Sequence, residues 1–338
     1  MAGYYFNLPA INQLTFSQQV VLNETRPIAL SGGTCFSRNI VMLWRHIHNI
    51  RAGKRSLLLT YSTHLKQYLR SCCEPVDKVA AQNIGTCLKN RPHYQWDEIL
   101  VVEAQDMPIE YYEEIKQYGN VSYSCDDSAI LYPDHCSQQV ELRKLFHTNV
   151  PYIIPDRNFE ANQHIMEFAK QAFPYAVITQ QTIKCLANNV GEMPVLYITN
   201  GDSSKQNDAI VSIIKSFYTY NSNIGILVPW KNDVLYFEKI LDDAGFMFSI
   251  YYPDKQRFPN GCTNSFSTIH LTTFKCAKGI GFDTVIIPNF HKYTEICGTF
   301  NINWQDYYVA CTSAGQNLYL LSDYELPQLD SIIDKQYL

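Results

Sequence analysis

Short runs of consecutive apolar residues recur along the chain and alternate with stretches whose apolar residues follow a helical period. The clearest run, residues 99–102, is too short for a helix of its own and is typical of a strand buried on both faces. Similar runs at residues 28–30 and 57–59 precede helical stretches. This alternation predicts an α/β protein whose strands form parallel sheets flanked by helices.

The same alternation returns in the second half of the chain, with apolar runs at residues 195–198 and 224–228. The chain has 338 residues, which is long enough for two domains with separate cores. Pro151 and Pro155 interrupt the pattern between the two halves, and this indicates a link there. We therefore predict a first domain of residues 1–148 and a second domain of residues 149–338.

The composition excludes some classes of protein function. Hydrophobic residues make up 46% of the chain and charged residues 17%, which is typical of a globular protein and not of a disordered one. The formal net charge of −5 excludes a general role in coating polyanions. Any nucleic-acid binding therefore requires a local basic groove.

The eleven cysteines form no Cys-x-x-Cys pair and have no regular spacing. Together with the absence of a signal-peptide pattern, this favours reduced thiols and no metal site. No apolar run approaches the ~20 residues that a membrane span needs. We therefore expect a cytoplasmic protein that has no contact with a membrane.

A glycine-rich turn follows the first predicted strand. Residues 27–30 are apolar, residues 31–39 include Gly32 and Gly33, and a helical pattern starts at residue 40. Strand, glycine loop and helix is the layout of a loop that cradles phosphate. The expected Gly-Lys-Ser/Thr is replaced by residues 37–39, Ser-Arg-Asn. An arginine fork does not replace a compact ammonium freely, and asparagine lacks the hydroxyl that would bind magnesium.

A polar run follows the strand 99–102 directly and contains Glu103 and Asp106. A parallel strand that ends in carboxylates lies where open α/β sheets bind ligands. Taken alone, the run is equally consistent with an acidic turn after a core strand. Asp126 and Asp127 end another predicted strand, and for them we favour a capping role over a metal site.

The run 103–106 reads Glu-Ala-Gln-Asp and resembles motif II of superfamily 1 helicases of the UvrD/Rep type, which reads Asp-Glu-Ala-Gln-Asp. Val102 stands where that family has the Asp that holds magnesium through water. Residues 266–288 resemble motif V, and residues 307–320 resemble motif VI. With the glycine turn, which resembles motif I, the resemblance covers residues 14–322.

Four shorter segments resemble other motifs of the family, in the family's order. Residues 14–19 resemble the Q motif, whose Gln reads the adenine edge, and residues 60–65 resemble motif Ia, which contacts a single strand. Residues 120–133 resemble motif III, and residues 155–173 resemble motif IV.

The resemblance implies two RecA-like P-loop NTPase domains, each a mainly parallel sheet flanked by helices, with nucleotide between them and a single strand across their top. It also implies three groups of site residues. The nucleotide-binding group is Gln18, Gly32, Gly33, Arg38, Lys278 and Gly279. The nucleic-acid group is Thr60, Tyr61, Thr63, Tyr132 and Thr272. The catalytic remnants are Glu103 and Arg157.

The departures from the family fall on phosphate and magnesium chemistry, at Ser37, Arg38, Asn39, Val102, Ala129, Gly281 and Ser313. Ser313 replaces the arginine finger, which alone contributes roughly 10³–10⁵ in rate. We therefore expect a helicase-like protein without ATP hydrolysis that acts as a nucleic-acid-binding or scaffolding subunit of a larger complex. Its expected partners are single-stranded DNA or RNA and a protein, and ATP is expected to bind weakly and without magnesium.

Two alternatives stay open at this point. In the first, the chain is an active ATP-dependent helicase or translocase that uses Arg38 and an arginine supplied by a partner. In the second, the chain is purely a protein-interaction subunit. Strand release that depends on nucleotide distinguishes the first alternative, and any affinity for a strand excludes the second.

Overall fold

The computed structural model describes residues 8–32, 35–87, 93–154, 161–184, 186, 189–218, 222–254, 256–258, 266–299 and 301–338. These residues form two compact units, 8–154 and 161–338, each with its own sheet. A strand at residues 150–153 pairs within the first sheet, so the first unit continues past the boundary predicted after residue 148. No helix in the described ranges is long and apolar enough to cross a membrane.

The first unit alternates strands with helices. Its strands are β1 (Ile28–Ser31), β2 (Ser56–Thr60), β3 (Ile84–Thr86), β4 (Trp96–Val102), β5 (Gly119–Ser124) and β6 (Val150–Ile153). Its helices are α1 (Phe16–Asn23), α2 (Cys35–Arg51), α3 (Thr63–Cys73), α4 (Lys78–Gln82), α5 (Ile109–Ile115) and α6 (Gln139–Leu145). Short 3-10 helices lie at Ile11–Gln13, Ala104–Asp106, Lys116–Tyr118, Asp127–Ala129 and Pro133–His135.

All paired strands of the first sheet are parallel, in the order β3-β2-β4-β5-β1-β6. Their carboxyl ends therefore lie along one edge of the sheet, which we call the carboxyl edge. The ends of β4, β5 and β1 are neighbours on that edge. Strand β6 lies at the side of the sheet, which accommodates Pro151, because a proline has no backbone N–H to donate to a further strand.

The core of the first unit surrounds these strands. β1 and β2 are buried along their whole length, and β4 is buried from Glu98 onwards. A parallel strand that is covered on both faces buries both rows of side chains, which explains why residues 99–102 are continuously apolar. The core includes Leu57, Ile99, Val101, Val121, Tyr123 and Leu142.

The second unit repeats the alternation. Its strands are β7 (Val195–Ile198), β8 (Ile224–Val228), β9 (Phe248–Tyr251), β10 (Ile269–Thr273), β11 (Phe282–Ile287), β12 (Ala314–Ser322) and β13 (Asp334–Tyr337). Its helices are α7 (Gln163–Ala172), α8 (Gln180–Lys184), α9 (Ser203–Phe217), α10 (Lys231–Asp243), α11 (Phe274–Ala277), α12 (Tyr293–Ile296) and α13 (Trp304–Thr312). Two 3-10 helices lie at Phe290–Lys292 and Pro327–Leu329.

The second sheet is also built from parallel pairs, in the order β13-β7-β12-β11-β8-β10-β9. Its central strands β8 and β10 are fully buried. The prediction of an α/β protein with two mainly parallel sheets flanked by helices is therefore confirmed.

A buried ion pair joins helix α2 to strand β4 at the opposite edge of the first sheet. Arg45 Nε donates to Glu98 Oε1 at 2.8 Å, and Asn49 Nδ2 donates to Glu98 Oε2 at 2.5 Å. The hydroxyl of Ser122 on β5 also donates to Glu98. The remaining Arg45 nitrogens donate to the carbonyl oxygens of Glu24 and Arg26, so that both buried charges are compensated.

We expect Glu98→Ala to lower the free energy of unfolding by about 3–5 kcal/mol, because it leaves the buried guanidinium of Arg45 without its carboxylate. Urea denaturation followed by circular dichroism measures the change. Glu113→Ala is the matched control, since it breaks the exposed pair between Glu113 and Lys116 and should cost at most about 1 kcal/mol. Equal losses for the two variants would contradict this account of the pair.

Candidate functional site

The side chain of Arg38 is fully buried at the start of helix α2. Its Nη1 donates to the carbonyl oxygen of Gly32 at 2.9 Å and to Asp126 Oδ2 at 3.3 Å. Its Nη2 lies 3.6 Å from Glu103 Oε1, which makes a second ion pair. One guanidinium therefore faces two carboxylates and a backbone carbonyl inside the first unit.

Gln105 closes these contacts into a ring. Its Nε2 donates to Glu103 Oε2 at 2.8 Å, and its Oε1 accepts from the backbone N–H of Asp126 at 3.2 Å. We call Arg38, Glu103, Gln105 and Asp126 the Arg38 ring. Because each member bonds the next, the geometry of the ring is fixed by its own partners.

The Arg38 ring connects the ends of three neighbouring strands on the carboxyl edge. Gly32 follows β1, Glu103 follows β4, and Asp126 lies two residues after β5. In open parallel sheets this edge is where ligands bind. Here an internal cation and two carboxylates lie at this edge and pair with each other.

Two backbone features support the ring. Glu103 has φ 55° and ψ 51°, a left-handed conformation that costs a non-glycine residue on the order of 1–3 kcal/mol. Gly32 has φ +75°, and a Cβ there would lie 2.8 Å from Ile153 Cγ2 and 2.9 Å from the carbonyl oxygen of Ile154. Glycine at position 32 is therefore required by the packing of this unit itself.

The positions beside the ring that depart from the helicase family are buried. Val102 and Ala129 are fully buried and apolar, and neither can bind an ion or a polar ligand. Ser37 and Asn39 are also buried, in the first turns of α2. Gly33 and Arg157, two of the predicted site residues, lie outside the described residues.

Gln18, the predicted adenine reader, takes part in a capping box at the start of helix α1. Its Oε1 accepts from the backbone N–H of Thr15 at 3.0 Å, and its own N–H donates to Thr15 Oγ1 at 3.2 Å. Its side chain is buried, and Nε2 has no hydrogen-bond partner among the described residues. The amide oxygen of Gln18, which adenine would need as an acceptor, is therefore already used in the capping box, whereas the amide nitrogen is not.

Two of the predicted nucleic-acid residues, Tyr61 and Tyr132, lie against each other. Their ring centroids are 4.9 Å apart at an interplanar angle of 61°, and both side chains are half-buried. Burial, and secondarily the charge of Asp106, raise the pKa of Tyr61, so its phenol stays neutral. Thr63 is half-buried in the first turn of α3, close in sequence to this pair.

The hydroxyls of Thr60 and Thr272 lie inside their units. Thr60 is fully buried at the end of β2. Thr272 is fully buried in β10, and its Oγ1 donates to the carbonyl oxygen of Tyr251 at 2.7 Å. Contact between these two hydroxyls and a strand stays a prediction, and in this conformation neither hydroxyl reaches the surface.

In the second unit, Lys278 and Gly279 follow helix α11, and Gly279 has φ +78°. Lys278 is buried and, with Lys275, acts electrostatically on the buried carboxyl of Asp306. Lys275 Nζ lies 3.9 Å from Asp306 Oδ1, and Asp306 Oδ2 accepts from the backbone N–H of Asn303. Burial raises the pKa of Asp306 to about 6, although the two lysines oppose the shift.

Sequence reasoning missed the roles of three residues, and two of them had a readable signal. Asp126 was interpreted as a cap; it does accept from the backbone N–H of Ser128, but it also pairs with Arg38. The spacing Thr-x-x-Gln at Thr15 and Gln18 is itself a capping-box signature. Asn303 and Asp306 have a similar capping-box spacing at the start of α13, but this spacing does not indicate the burial that raises the pKa of Asp306. Among the described residues, no group of three His, Cys, Asp or Glu side chains suits a metal ion.

Comparison with known proteins adds evidence on the fold. No protein-family model matches the chain, and no curated protein matches its sequence. Among solved structures, S. cerevisiae Dbp5 bound to RNA and ADP BeF3 matches with a TM-score of 0.53 at 10% identity, over 95% of this chain and 89% of that one. The chain therefore has the mixed α/β fold of RecA-like helicases.

Two further helicase structures have lower scores. Arterivirus nonstructural protein 10 matches over 94% of this chain and 63% of that one, with 12% identity and a TM-score of 0.45. The C-terminal domain of a possible DNA helicase from a Lactobacillus matches over 53% of this chain and 98% of that one, with 17% identity and a TM-score of 0.36.

We predict that Asp306 makes the protein more stable at low pH. Its folded pKa of about 6 lies above the usual value of ~3.9 in an unfolded chain, so the folded state holds the proton more tightly. The stabilisation is fully present below the unfolded pKa and is lost as pH rises through the folded pKa. A shift of about two units corresponds to about 3 kcal/mol.

Asp306→Asn removes this titration while an amide oxygen still accepts from Asn303. Urea denaturation of both proteins between about pH 4 and pH 7 should show a difference in unfolding free energy that changes by about 2 kcal/mol across the range. Stability curves that run parallel for the two proteins would mean that Asp306 titrates normally.

Proposed function

We propose that this chain is a helicase-like protein, related to superfamily 1 helicases of the UvrD/Rep type, that binds a single nucleic-acid strand and does not hydrolyse ATP. Within that role it acts as a nucleic-acid-binding or scaffolding subunit of a larger complex. The observation that carries the proposal is the Arg38 ring, in which the cation of the glycine turn is paired with Glu103 and Asp126.

An active phosphate loop must leave its cation available to phosphate. Arg38 is fully buried and already has two carboxylates as partners. Drawing it towards a nucleotide would leave Glu103 as a buried carboxylate without its cation, which costs about 3–5 kcal/mol for a typical buried pair. The phosphates would also meet the negative charges of Glu103 and Asp126. Both effects oppose nucleotide binding at this edge of the sheet.

Among the residues that the structure describes, no group of three His, Cys, Asp or Glu side chains beside the ring suits a metal ion. Val102, at the position of the family's magnesium-binding Asp, is apolar and fully buried. Glu103, at the position of the family's catalytic carboxylate, forms an ion pair with Arg38 and accepts from Gln105. The residues present therefore do not fit a magnesium nucleotide, and no step of phosphoryl transfer is assigned to them.

The arginine-finger position supports the same conclusion in the second unit. Ser313 is the C-cap of helix α13, and its hydroxyl donates to the carbonyl oxygen of Val309 at 2.7 Å. A hydroxyl that is used within its own helix supplies no charge to a transition state. Loss of this cation alone removes roughly 10³–10⁵ in rate from enzymes that use it.

The features that support strand binding are separate from the Arg38 ring. Tyr61 and Tyr132 are half-buried aromatic side chains that follow β2 and β5 on the carboxyl edge. Aromatic faces of this kind stack on bases of any sequence. The net charge of −5 opposes the approach of phosphate, so we expect modest affinity that falls as salt rises.

We predict no ATP hydrolysis above background, with or without single-stranded DNA or RNA. Phosphate release measured at saturating magnesium and ATP tests this, and Glu103→Gln serves as the matched variant. Arg38→Lys should stay equally inactive, because the magnesium-binding Asp and the arginine finger are still missing and such groups act as a unit. Turnover that rises with added strand and falls in Glu103→Gln would identify an active enzyme and refute the proposal.

We predict that Tyr61→Ala and Tyr132→Ala each weaken strand binding by about tenfold or more, since stacking contributes about 1–3 kcal/mol per base. Fluorescence anisotropy with a labelled oligonucleotide at low salt measures the affinity. Tyr94→Ala is a control, because Tyr94 is an exposed tyrosine that stacks on Trp96 at the amino end of β4. A flat titration for folded wild-type protein would contradict strand binding altogether.

A further inference from the structure

Helix α3 differs from the rest of this acidic chain in its charge. Its eleven residues, Thr63–Cys73, include no Asp and no Glu, whereas the whole chain carries a net charge of −5. One face of the helix is buried in the first unit, through His64, Leu65, Tyr68, Leu69, Cys72 and Cys73. That buried face holds the helix in place and determines which side chains lie outside it.

The other face carries a polar and cationic stripe. Thr63, Lys66, Gln67 and Arg70 follow the spacing i, i+3, i+4 and i+7, and all four are half-buried. Residues with this spacing lie on one side of a helix, one above the other. We call these four residues the α3 stripe. Lys66 and Arg70 are one helical turn apart, about 6 Å along the axis.

The α3 stripe starts at the carboxyl edge of the first sheet, beside Tyr61 and Tyr132, which we call the aromatic pair. Helix α3 begins three residues after the end of β2, and Ser62 caps it by accepting from the backbone N–H of Leu65. Tyr61, which packs against Tyr132, immediately precedes that cap. The amino end of an α-helix also carries partial positive charge, which favours an anion there.

We propose that the α3 stripe is a track for the phosphate backbone of a single nucleic-acid strand, with Lys66 and Arg70 as its cationic contacts. This inference rests on the proposed strand binding and extends it, because it assigns the backbone contacts to a helix face. Bases stack at Tyr61 and Tyr132, and the adjoining phosphates follow the helix from Thr63 towards Arg70.

Two observations favour a nucleic-acid strand over an acidic protein segment. Only a strand uses both parts of the surface, since bases stack on tyrosine while phosphates pair with lysine and arginine. Burial raises the pKa of Tyr61, so the phenol of Tyr61 adds no negative charge next to the phosphates. An acidic peptide would use the cations and leave the aromatic pair without a role.

The test compares two pairs of neutralised cations in the intact chain. Lys66→Gln with Arg70→Gln removes the charge of the α3 stripe. Arg143→Gln with Lys144→Gln is the matched control, which removes one arginine and one lysine that are exposed in the last turn of α6. Helix α6 lies between β5 and β6 along the chain, whereas α3 lies between β2 and β3, at the other end of the strand order.

Fluorescence anisotropy with labelled single-stranded DNA and RNA, over a series of salt concentrations, gives the affinity and its salt dependence. For the α3 variant we expect affinity to fall tenfold or more at low salt. The slope of log affinity against log salt concentration should become shallower by about 1.4, because each of the two lost phosphate contacts on a single strand contributes ~0.7. The α6 control should stay within about twofold of wild type. Circular dichroism and thermal melting verify that both variants fold.

Three results would overturn the inference. If wild type binds a strand and the α3 variant binds equally well with the same salt slope, the track is wrong while strand binding stands. If folded wild type binds neither DNA nor RNA, the track and the proposed function both fail. If polyglutamate displaces the strand and binds wild type as tightly, with the same loss in the α3 variant, the stripe is a site for an acidic protein segment.

Discussion

The ion pairs of Arg38 determine what the carboxyl edge of the first unit can do. A fully buried guanidinium must be compensated, and Glu103, Asp126 and the carbonyl oxygen of Gly32 provide that compensation. These three groups follow three neighbouring parallel strands, so one side chain connects the ends of β1, β4 and β5. The strained backbone of Glu103 persists because Arg38 and Gln105 hold its carboxylate in place.

This constraint separates nucleotide binding from strand binding, two properties that helicases normally couple. The Arg38 ring lies on the carboxyl edge at the ends of β1, β4 and β5. On the same edge, Tyr61 and the start of α3 follow β2, and Tyr132 follows β5. Ion pairs within the ring use the charges that nucleotide chemistry needs, whereas the aromatic pair and the α3 stripe do not depend on them. Under the proposed function, the chain keeps a surface for a strand although the Arg38 ring opposes nucleotide binding.

The sequence was sufficient for the fold, because continuous apolar runs such as residues 99–102 are produced by parallel strands buried on both faces. It also indicated that Glu103 directly follows a strand and that Arg38 follows the glycine turn after another strand. The pairing of Arg38 with Glu103 and Asp126 could not be read from the sequence. The three residues are distant along the chain and become neighbours only through the strand order β4-β5-β1. The burial of Thr60 and Thr272 was equally invisible, because a threonine at a strand end is compatible with both faces.

The most direct test of this account is a double-mutant cycle on the unfolding free energy, with Arg38→Met and Glu103→Gln made singly and together. If the Arg38 ring holds the strand ends through its charges, each single variant removes part of the compensation of a buried charge, and the double variant recovers part of the loss. The account predicts a coupling energy of about 2–3 kcal/mol between the two positions. Losses that simply add, with a coupling energy near zero, would contradict it.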